Sequence, residues 1–384
     1  MGFWARRYVE FVKIGPLQLR APVVLAPMAG VTNAPFRTMC RTFADGLLYV
    51  NEMVMATALL HGNAKTERMS TFAPGESPRS LQLYGSDPVT VGEAVRRLCD
   101  MDRVDHIDLN FGCPAAKVMR KGGGAAVPVK PRLLQAIVRA AVGAAAPHGV
   151  PVTAKFRKGV HDGLLTHLTT GRIAADEGVA AVALHARTAE QHYAGSADWD
   201  AIGELKSVVT TVPVLGNGDI WEAADAIAMM AATGCDGVVI GRGCLGRPWL
   251  FRDLVLALDG EPVPPAPSLG EAAVTMATHA RALAEHLGES LAMRDFRKHT
   301  SWYLTGYPVG GEVRRWFSGV SSLAELDDLI AALDPAVHLV PGGERIRRGH
   351  TNGPIRVALP PGYLDDPDDL TPPADADVMA LSGG

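Results

Sequence analysis

Eight short apolar runs, each followed by a segment with helical spacing, constrain the fold of this 384-residue chain most strongly. The runs are nearly continuous in apolar residues, which is typical of parallel strands that are buried on both faces. Glycines such as Gly149, Gly178 and Gly234 follow helical segments at the position where a C-terminal cap is expected. The eight runs are residues 23–28, 47–54, 79–84, 106–111, 151–157, 181–187, 212–217 and 237–241.

Both a (β/α)₈ barrel and a doubly wound open sheet would show this alternation, and about 240 residues suit a barrel. Polar residues distinguish the two folds, because they cluster at or just past the C-terminal end of nearly every run. They are Asn51, Glu52, Gln82, Asn110, Cys113, Lys155, Arg157, His185, Arg187, Asn217, Asp219 and Arg242. In a barrel all of these strand ends meet at one mouth, whereas in an open sheet only those at the switch point meet. We therefore predict an α/β fold with a (β/α)₈ TIM barrel over residues 14–258.

The remainder of the chain divides into three segments. Residues 259–270 are rich in proline and glycine and are predicted to be a linker. Residues 271–338 show helical spacing, so we expect a small all-α domain behind the barrel. Residues 341–384, called the tail below, are rich in Pro, Gly and Asp, and their composition predicts disorder.

Charge and cysteine content restrict the classes of protein and site. The net charge of −4 is not typical of nucleic-acid-binding proteins, so any RNA contact must come from local basic patches. The five cysteines form no CxxC pair, which argues against a zinc site, and their odd number argues against a disulfide framework. No apolar run approaches the roughly 20 residues of a membrane helix, and residues 1–15 lack the uninterrupted apolar stretch of a signal peptide. We expect a cytoplasmic protein with no membrane, metal or obligate protein partner.

Two glycine-rich segments suggest a phosphate site. Gly216-Asn217-Gly218-Asp219 follows the seventh run, and Gly241-Arg242-Gly243 follows the eighth. Barrels often bind phosphate with the backbone N–H groups of these two loops, and Arg242 would add a charge-assisted hydrogen bond. Two ordinary glycine turns are the alternative.

Other mouth residues suit a flat, redox-active ring. Pro27, Met28 and Ala29 end the first run with residues that permit close approach, and Gln82 and Lys155 would face the same mouth. A reduced flavin carries negative charge along its N1–C2=O edge, and a lysine and an amide can stabilise that charge. His185 could hold phosphate or a substrate base, although Lys155 and His185 could also be structural.

Cys113 is the candidate catalytic group. It lies between Gly112 and Pro114 on the loop after the fourth run, where Lys117, Arg120 and Lys121 could adjust its reactivity. The three glycines 122–124 predict a mobile segment directly after it.

Taken together, these segments resemble the tRNA-dihydrouridine synthase family, and its bacterial B-type subgroup looks most similar. The resemblance runs from about residue 14 to the region of Tyr303 and rests on PMAGVTNAPFR, NEM, QLYGSDP, DLNFGCP, AKFRKG, HARTAEQHYAGSADWDAI, VLGNGDI and GRGCLGRPWLF. It implies an FMN- and NADPH-dependent reduction of uridine in tRNA to dihydrouridine, with Cys113 as proton donor. It implies FMN contacts from Pro27, Met28, Ala29, Gln82, Lys155, Asn217, Gly218, Asp219, Gly241 and Arg242, to which we add His185.

The resemblance also implies that tRNA is gripped by the C-terminal helices. We expect substrate contacts from Glu52, Asn110, Arg157, Arg187, Arg294, Arg297, Lys298 and His299. Arg314 and Arg315, with the aromatic Trp302, Tyr303 and Trp316, would extend this RNA-binding surface.

The chain departs from the family pattern at Asn33, at Phe111 and in the GGGAAVP segment, residues 122–128, after the cysteine. The last departure bears on how substrate is positioned. Two alternatives remain open: an FMN barrel dehydrogenase for a small molecule, similar to dihydroorotate dehydrogenase, and a non-catalytic RNA-binding flavoprotein.

Overall fold

The computed structural model describes residues 12–62, 64–349 and 353–373. Most of the N-terminal segment used to predict the location of the protein, residues 1–11, lies outside the described residues. The same holds for residues 374–384 of the tail.

Eight parallel strands form a closed barrel in which each strand pairs with its neighbours in sequence and β8 pairs with β1. Each predicted run contains one strand core, so the predicted (β/α)₈ fold is confirmed. The strands are β1 Val23–Leu25, β2 Leu48–Met55, β3 Ser80–Tyr84, β4 His106–Phe111, β5 Val152–Arg157, β6 Ala181–His185, β7 Val214–Asn217 and β8 Gly237–Ile240.

Helices surround the barrel and bury their apolar faces against the outer faces of the strands. They are α1 Ala34–Phe43, α2 Ala56–His61, α3 Ala64–Met69, α4 Pro88–Asp100, α5 Ala116–Met119, α6 Pro131–Ala145, α7 His167–Asp176, α8 Asp200–Val208, α9 Ala223–Thr233 and α10 Leu250–Leu258. Short 3₁₀ turns at Gly124–Val129 and Arg242–Cys244 follow β4 and β8.

The two ends of the barrel differ in polarity. A small hairpin of Lys13–Ile14 and Leu17–Gln18 packs its buried Ile14 with inward-facing apolar residues such as Val24 and Leu215 at the N-terminal ends of the strands. The C-terminal ends instead carry the polar side chains identified in the sequence. The chemistry of the molecule is therefore expected at the C-terminal mouth.

Four further helices form the C-terminal helical part, and they are α11 Leu269–Leu287, α12 Glu289–Leu304, α13 Gly310–Gly319 and α14 Leu323–Ala331. Helix α11 begins two residues before the predicted start of the helical domain, because Ser268 and Glu271 form a capping box. The core of this part includes Trp249 of the barrel, and Phe43 of α1 packs against it. The helices are thus joined to the barrel by a shared apolar contact.

The described part of the tail, residues 341–349 and 353–373, is packed against the barrel, which corrects the disorder predicted from its composition. Tyr363 is only 4 % exposed and packs, with Val357 and Leu359, into an apolar cluster formed by barrel loops. A few apolar residues at the right positions suffice here because the loops beneath them supply the remainder of the cluster.

Within the described residues, no helix is both long and apolar enough to cross a membrane.

Candidate active site at the barrel mouth

A cavity of about 620 Å³ opens at the C-terminal end of the barrel. Residues from the ends of all eight strands line it, together with Lys298 and Trp302 of α12 and Gly349 of the tail. Most of the predicted site residues meet here. Those that line the cavity are Pro27, Met28, Ala29, Gln82, Asn110, Cys113, Lys155, Arg157, His185, Arg187, Asn217, Gly218, Asp219, Gly241, Arg242 and Lys298.

Positive charge dominates the lining of the cavity, which includes three arginines, two lysines and a single carboxylate, Asp219. Burial, followed by the charge of Arg157, lowers the pKa of Lys155 to about 8. Burial and four neighbouring cations hold the pKa of His185 well below its usual value, so this imidazole is neutral at physiological pH. A cavity of this kind favours an anionic ligand.

The end of the cavity where the sequence predicts a phosphate contains a buried hydrogen-bond donor of interest. Arg187 is fully buried; its Nη2 donates to both oxygens of Asp219 at 2.8 and 2.7 Å, and its Nε donates to the Ala194 carbonyl. Its Nη1 has no hydrogen-bond partner among the residues that the structure describes. Because buried donors are almost always paired, this atom points to a missing acceptor.

Glycine is required at both of the loops predicted to bind phosphate. Gly218 has φ 139°, and a Cβ there would lie 2.6 Å from the Ala197 Cβ. A Cβ on Gly243 would lie 2.1 Å from the carbonyl oxygen of Ile220. The glycines are therefore imposed by close backbone packing, while they also leave their N–H groups unobstructed.

Aromatic side chains hold Arg242, a feature that the sequence interpretation missed. The guanidinium carbon of Arg242 lies 4.5 Å from the ring centroid of Tyr193 and 5.3 Å from that of Trp221. Both rings line the cavity. Tyr193 lies in the conspicuous HARTAEQHY segment after β6, so an available signal was overlooked.

A hydrogen-bonded chain orients the amide of Gln82. Asn110 Nδ2 donates to Gln82 Oε1 at 2.9 Å, and Gln82 Nε2 donates to Asp108 at 2.6 Å. Asp108 also accepts from the hydroxyl of Thr153, yet burial raises its pKa to about 6. The chain thus fixes which end of the Gln82 amide carries the oxygen.

The loop that carries Cys113 is held on both sides. Asn110 Oδ1 accepts from the backbone N–H groups of Gly112 and Cys113 at 3.0 and 2.9 Å. Arg157 Nε donates to the Gly112 carbonyl at 2.9 Å, and its Nη1 donates to the Thr188 carbonyl on the loop after β6. Asn110 and Arg157, predicted to bind substrate, also determine where the thiol lies.

Burial raises the pKa of the Cys113 thiol, although the Ala115 N–H, Arg157 and Lys117 partly oppose this shift. The side chain is nevertheless partly exposed, and it lines the cavity. The structure thus holds a protonated thiol in contact with the cavity at neutral pH.

The segment after Cys113 is packed, although its three glycines predict a mobile segment. Residues 122–130 are buried, and Gly124–Val129 form a 3₁₀ turn. Gly124 has φ 55°, and a Cβ there would lie 2.5 Å from the Cys113 carbonyl oxygen. Here glycine allows the turn to pack directly on the cysteine.

Four predicted substrate residues do not line the cavity. Glu52 lies within a register shift of β2, between Val50 and Met53. Its carboxylate accepts from the Gly30 N–H at 2.7 Å and does not line the cavity. His299 is fully buried in the helical core, so its predicted substrate contact is wrong for this structure. Arg294 and Arg297 lie on α12 outside the cavity, and Tyr303 of the predicted RNA-binding surface is buried.

No group of three or more His, Cys, Asp or Glu side chains that could hold a metal ion occurs in the described ranges. The fold and the mouth together define a barrel with a protonated thiol in a cavity whose lining is mainly cationic.

The chain belongs to the dihydrouridine synthase (Dus) family, whose model matches residues 24–337. It is 54 % identical over 378 residues to a probable tRNA-dihydrouridine synthase of Mycobacterium tuberculosis H37Rv, covering 97 % of both chains. It is 38 % identical over 309 residues to tRNA-dihydrouridine synthase B of Pseudomonas putida, covering 80 % of this chain and 90 % of that one. The resemblance seen in the sequence is thereby confirmed, and the chain is an enzyme of this family of flavin-dependent oxidoreductases.

The barrel also resembles that of a solved structure, a 2-naphthoyl-CoA reductase in complex with 2-naphthoyl-CoA. The TM-score is 0.51 at 10 % sequence identity, over 66 % of this chain and 52 % of the other. At this identity the similarity supports the fold alone.

Proposed function

We propose that this protein reduces the C5–C6 bond of uridines in tRNA to dihydrouridine, with FMN as cofactor and NADPH as reductant. The observation that carries the proposal is the position of the Cys113 thiol. It lines the same cavity as the partnerless donor of Arg187 and the stacked guanidinium of Arg242.

FMN suits the donors of this cavity. Arg187 Nη1, Arg242 and the N–H groups beside Gly218 and Gly241 would bind its phosphate. Lys155 and the oriented Gln82 would face the polar edge of its ring, with Pro27, Met28 and Ala29 along the ring itself. When bound and reduced by NADPH, FMN would supply a hydride to C6 of the uracil.

Cys113 would then complete the reduction. Hydride addition at C6 leaves an enolate on the uracil, and C5 must receive a proton. The raised pKa of the Cys113 thiol keeps that proton in place until the enolate forms. Asn110 and Arg157 hold the loop, so that the sulfur would face one position of the bound base.

The substrate base must leave its stack to enter a cavity at the bottom of the mouth. Lys298 and Trp302 bring α12 to the rim of the cavity, and Arg294 and Arg297 continue the basic face of the same helix. We infer that the tRNA backbone lies along this face. We propose that the reaction takes place in the cytoplasm, where tRNA and NADPH would both be available.

The test has two parts. Flavin released from denatured protein should be FMN, and FAD, or no flavin after reconstitution, would contradict the proposed phosphate site. The holoenzyme with NADPH should then form dihydrouridine in tRNA from a strain that lacks this modification, measured by mass spectrometry of nucleosides. Oxidation of NADPH without dihydrouridine would favour a small-molecule dehydrogenase instead.

A further inference from the structure

The tail provides a second layer of structure over the loop that carries Cys113. Residues 353–373, called the strap below, lie beyond residue 337, where the family match ends. The strap first joins the loop after β6, where the Ile355 N–H donates to the Glu190 carbonyl at 2.8 Å. It then continues to the segment that follows Cys113.

An apolar cluster joins the strap to that segment. The strap contributes Tyr363, with Val357 and Leu359 at the edge. The barrel loops contribute Met119, Ala125, Ala126, Val129, Val160, Ala189 and Leu164. The small residues of the GGGAAVP segment leave the space that the strap side chains fill.

Polar contacts reinforce the same attachment. Lys130 Nζ, on a side chain only 5 % exposed, pairs with Asp369 of the strap at 2.7 Å. The same ammonium lies 4.7 Å from the ring centroid of Tyr363. An almost buried cation needs a counter-charge, and here the strap supplies it.

Two contacts connect the strap to Cys113. A Cβ on Gly122 would lie 2.6 Å from Pro373 of the strap and 3.3 Å from the Tyr363 ring, so no larger residue fits beneath the strap. Beyond Gly122, the Ala125 N–H donates to the Cys113 carbonyl at 3.1 Å. Tyr363 therefore packs against a turn that is itself hydrogen-bonded to the cysteine.

We propose that Tyr363, supported by the Asp369–Lys130 pair, is a positioning residue that holds Cys113 at its place in the cavity. The strap substitutes for larger side chains that the GGGAAVP segment lacks. This inference rests on the proposed role of Cys113, but its structural half can be measured without tRNA.

The test compares Tyr363→Ala, Asp369→Asn and Tyr363→Phe in the full-length holoenzyme. Leu364→Ala is the matched control, because Leu364 is the next residue of the strap and is 55 % exposed. The first measurement is the rate at which iodoacetamide alkylates Cys113, followed by peptide mass spectrometry; the other four cysteines are buried. The second is the kcat and KM for tRNA, with FMN reduction by NADPH measured separately.

We expect Tyr363→Ala to raise the alkylation rate severalfold and to lower kcat for tRNA on the order of tenfold, since small misplacements of a reacting group cost this much or more. Asp369→Asn should act in the same direction and less strongly. The KM for tRNA and the reaction with NADPH should stay at the level of the control. Tyr363→Phe should be close to wild type, because the hydrogen bond from the Tyr363 hydroxyl to the Gly122 carbonyl is long, at 3.4 Å.

Three outcomes would overturn the inference. Alkylation and kcat at the control level in both Tyr363→Ala and Asp369→Asn would show that the strap does not position Cys113. A raised KM with unchanged kcat would make the strap an RNA contact, and equal loss of both half-reactions would make it a general stabiliser. If the wild type forms no dihydrouridine, the proposed function fails, while the alkylation contrast still decides the role of the strap.

Discussion

Two arginines at the proposed phosphate site are held in different ways, and this difference determines which of them to replace. Arg187 is fully buried and paired with Asp219, so its loss would leave a partly buried carboxylate without this partner. Arg242 stacks on Tyr193 and Trp221, and its Nη2 lies 3.8 Å from an oxygen of Asp219. Arg242 is therefore the cleaner probe of phosphate binding.

We predict that Arg242→Ala weakens flavin binding by about 1.5–3 kcal/mol, the usual contribution of a hydrogen bond to a charged group. This corresponds to roughly a 10- to 100-fold rise in Kd, measurable by titrating apoprotein with FMN and following flavin fluorescence. Arg281→Ala is the control, since Arg281 is exposed and paired with Asp327 on the helical part. Equal FMN affinity in both variants would contradict the proposed phosphate site.

A second prediction for a single residue concerns the effect of His279 on the free energy of unfolding. Burial lowers its pKa to about 3, and its Nε2 has no hydrogen-bond partner within the described ranges. The folded state keeps this imidazole neutral, whereas the unfolded chain takes up a proton below about pH 6.5. The free energy of unfolding therefore keeps its full value above about pH 6.5 and decreases as the pH falls below it, because only the unfolded chain gains the proton.

Between pH 7.5 and 5.5 a single buried neutral histidine should cost about 1.4 kcal/mol of unfolding free energy. The loss of stability over this range should therefore be smaller by that amount in His279→Gln than in the wild type, measured by urea denaturation. Taking the difference removes the effect of other titrating groups. Identical pH dependences would show that the pKa of His279 is not lowered by folding.

At the scale of elements, α12 divides its residues between two faces. Ala292, Phe296, His299 and Tyr303 form its buried face, at spacings of four, three and four residues. Arg294, Arg297 and Lys298 lie on the other side. The spacing already indicates that His299 belongs with the apolar residues, and grouping it with its basic neighbours caused the wrong prediction.

The basic face of α12 should contribute a phosphate contact to tRNA binding. Arg294→Ala should weaken tRNA binding and reduce the slope of log Kd against log salt by about 1, the effect of one lost phosphate contact. Arg281→Ala on α11 again serves as the control. If the slopes of Arg294→Ala and Arg281→Ala are the same, the tRNA backbone does not lie along this face.

Glu52 and the tail also differ from the sequence predictions, and in both cases the cause is the packing of whole elements. Glu52 lies at a register shift in β2. A register shift depends on how the neighbouring strand pairs, so the sequence of one segment does not reveal it. The tail is low in apolar residues, yet Tyr363 is buried because its partners come from loops far away in sequence. Composition describes an average, whereas packing depends on the position of single side chains.

For the molecule as a whole, the sequence was sufficient to predict the barrel and most residues of its mouth. Parallel strands buried on both faces have a clear pattern, and closure of the barrel brings their ends together whatever the details of the loops. The sequence could not show that Asn110 and Arg157 hold the cysteine loop, or that Asp108 orients Gln82. These contacts depend on side-chain geometry across strands, which no local pattern records.

The central claim is that Cys113 acts as the acid in a two-step reduction, and separating the two half-reactions tests it most directly. Cys113→Ala should bind FMN and react with NADPH as the wild type does, because the thiol has no part in that step. Uridine reduction in tRNA should fall by about 10²-fold or more, the usual contribution of general acid catalysis. Cys113→Ser should be nearly as slow, since a hydroxyl is a much weaker acid than a thiol. Equal loss of both half-reactions would make Cys113 structural, and loss of neither would assign the proton to another group.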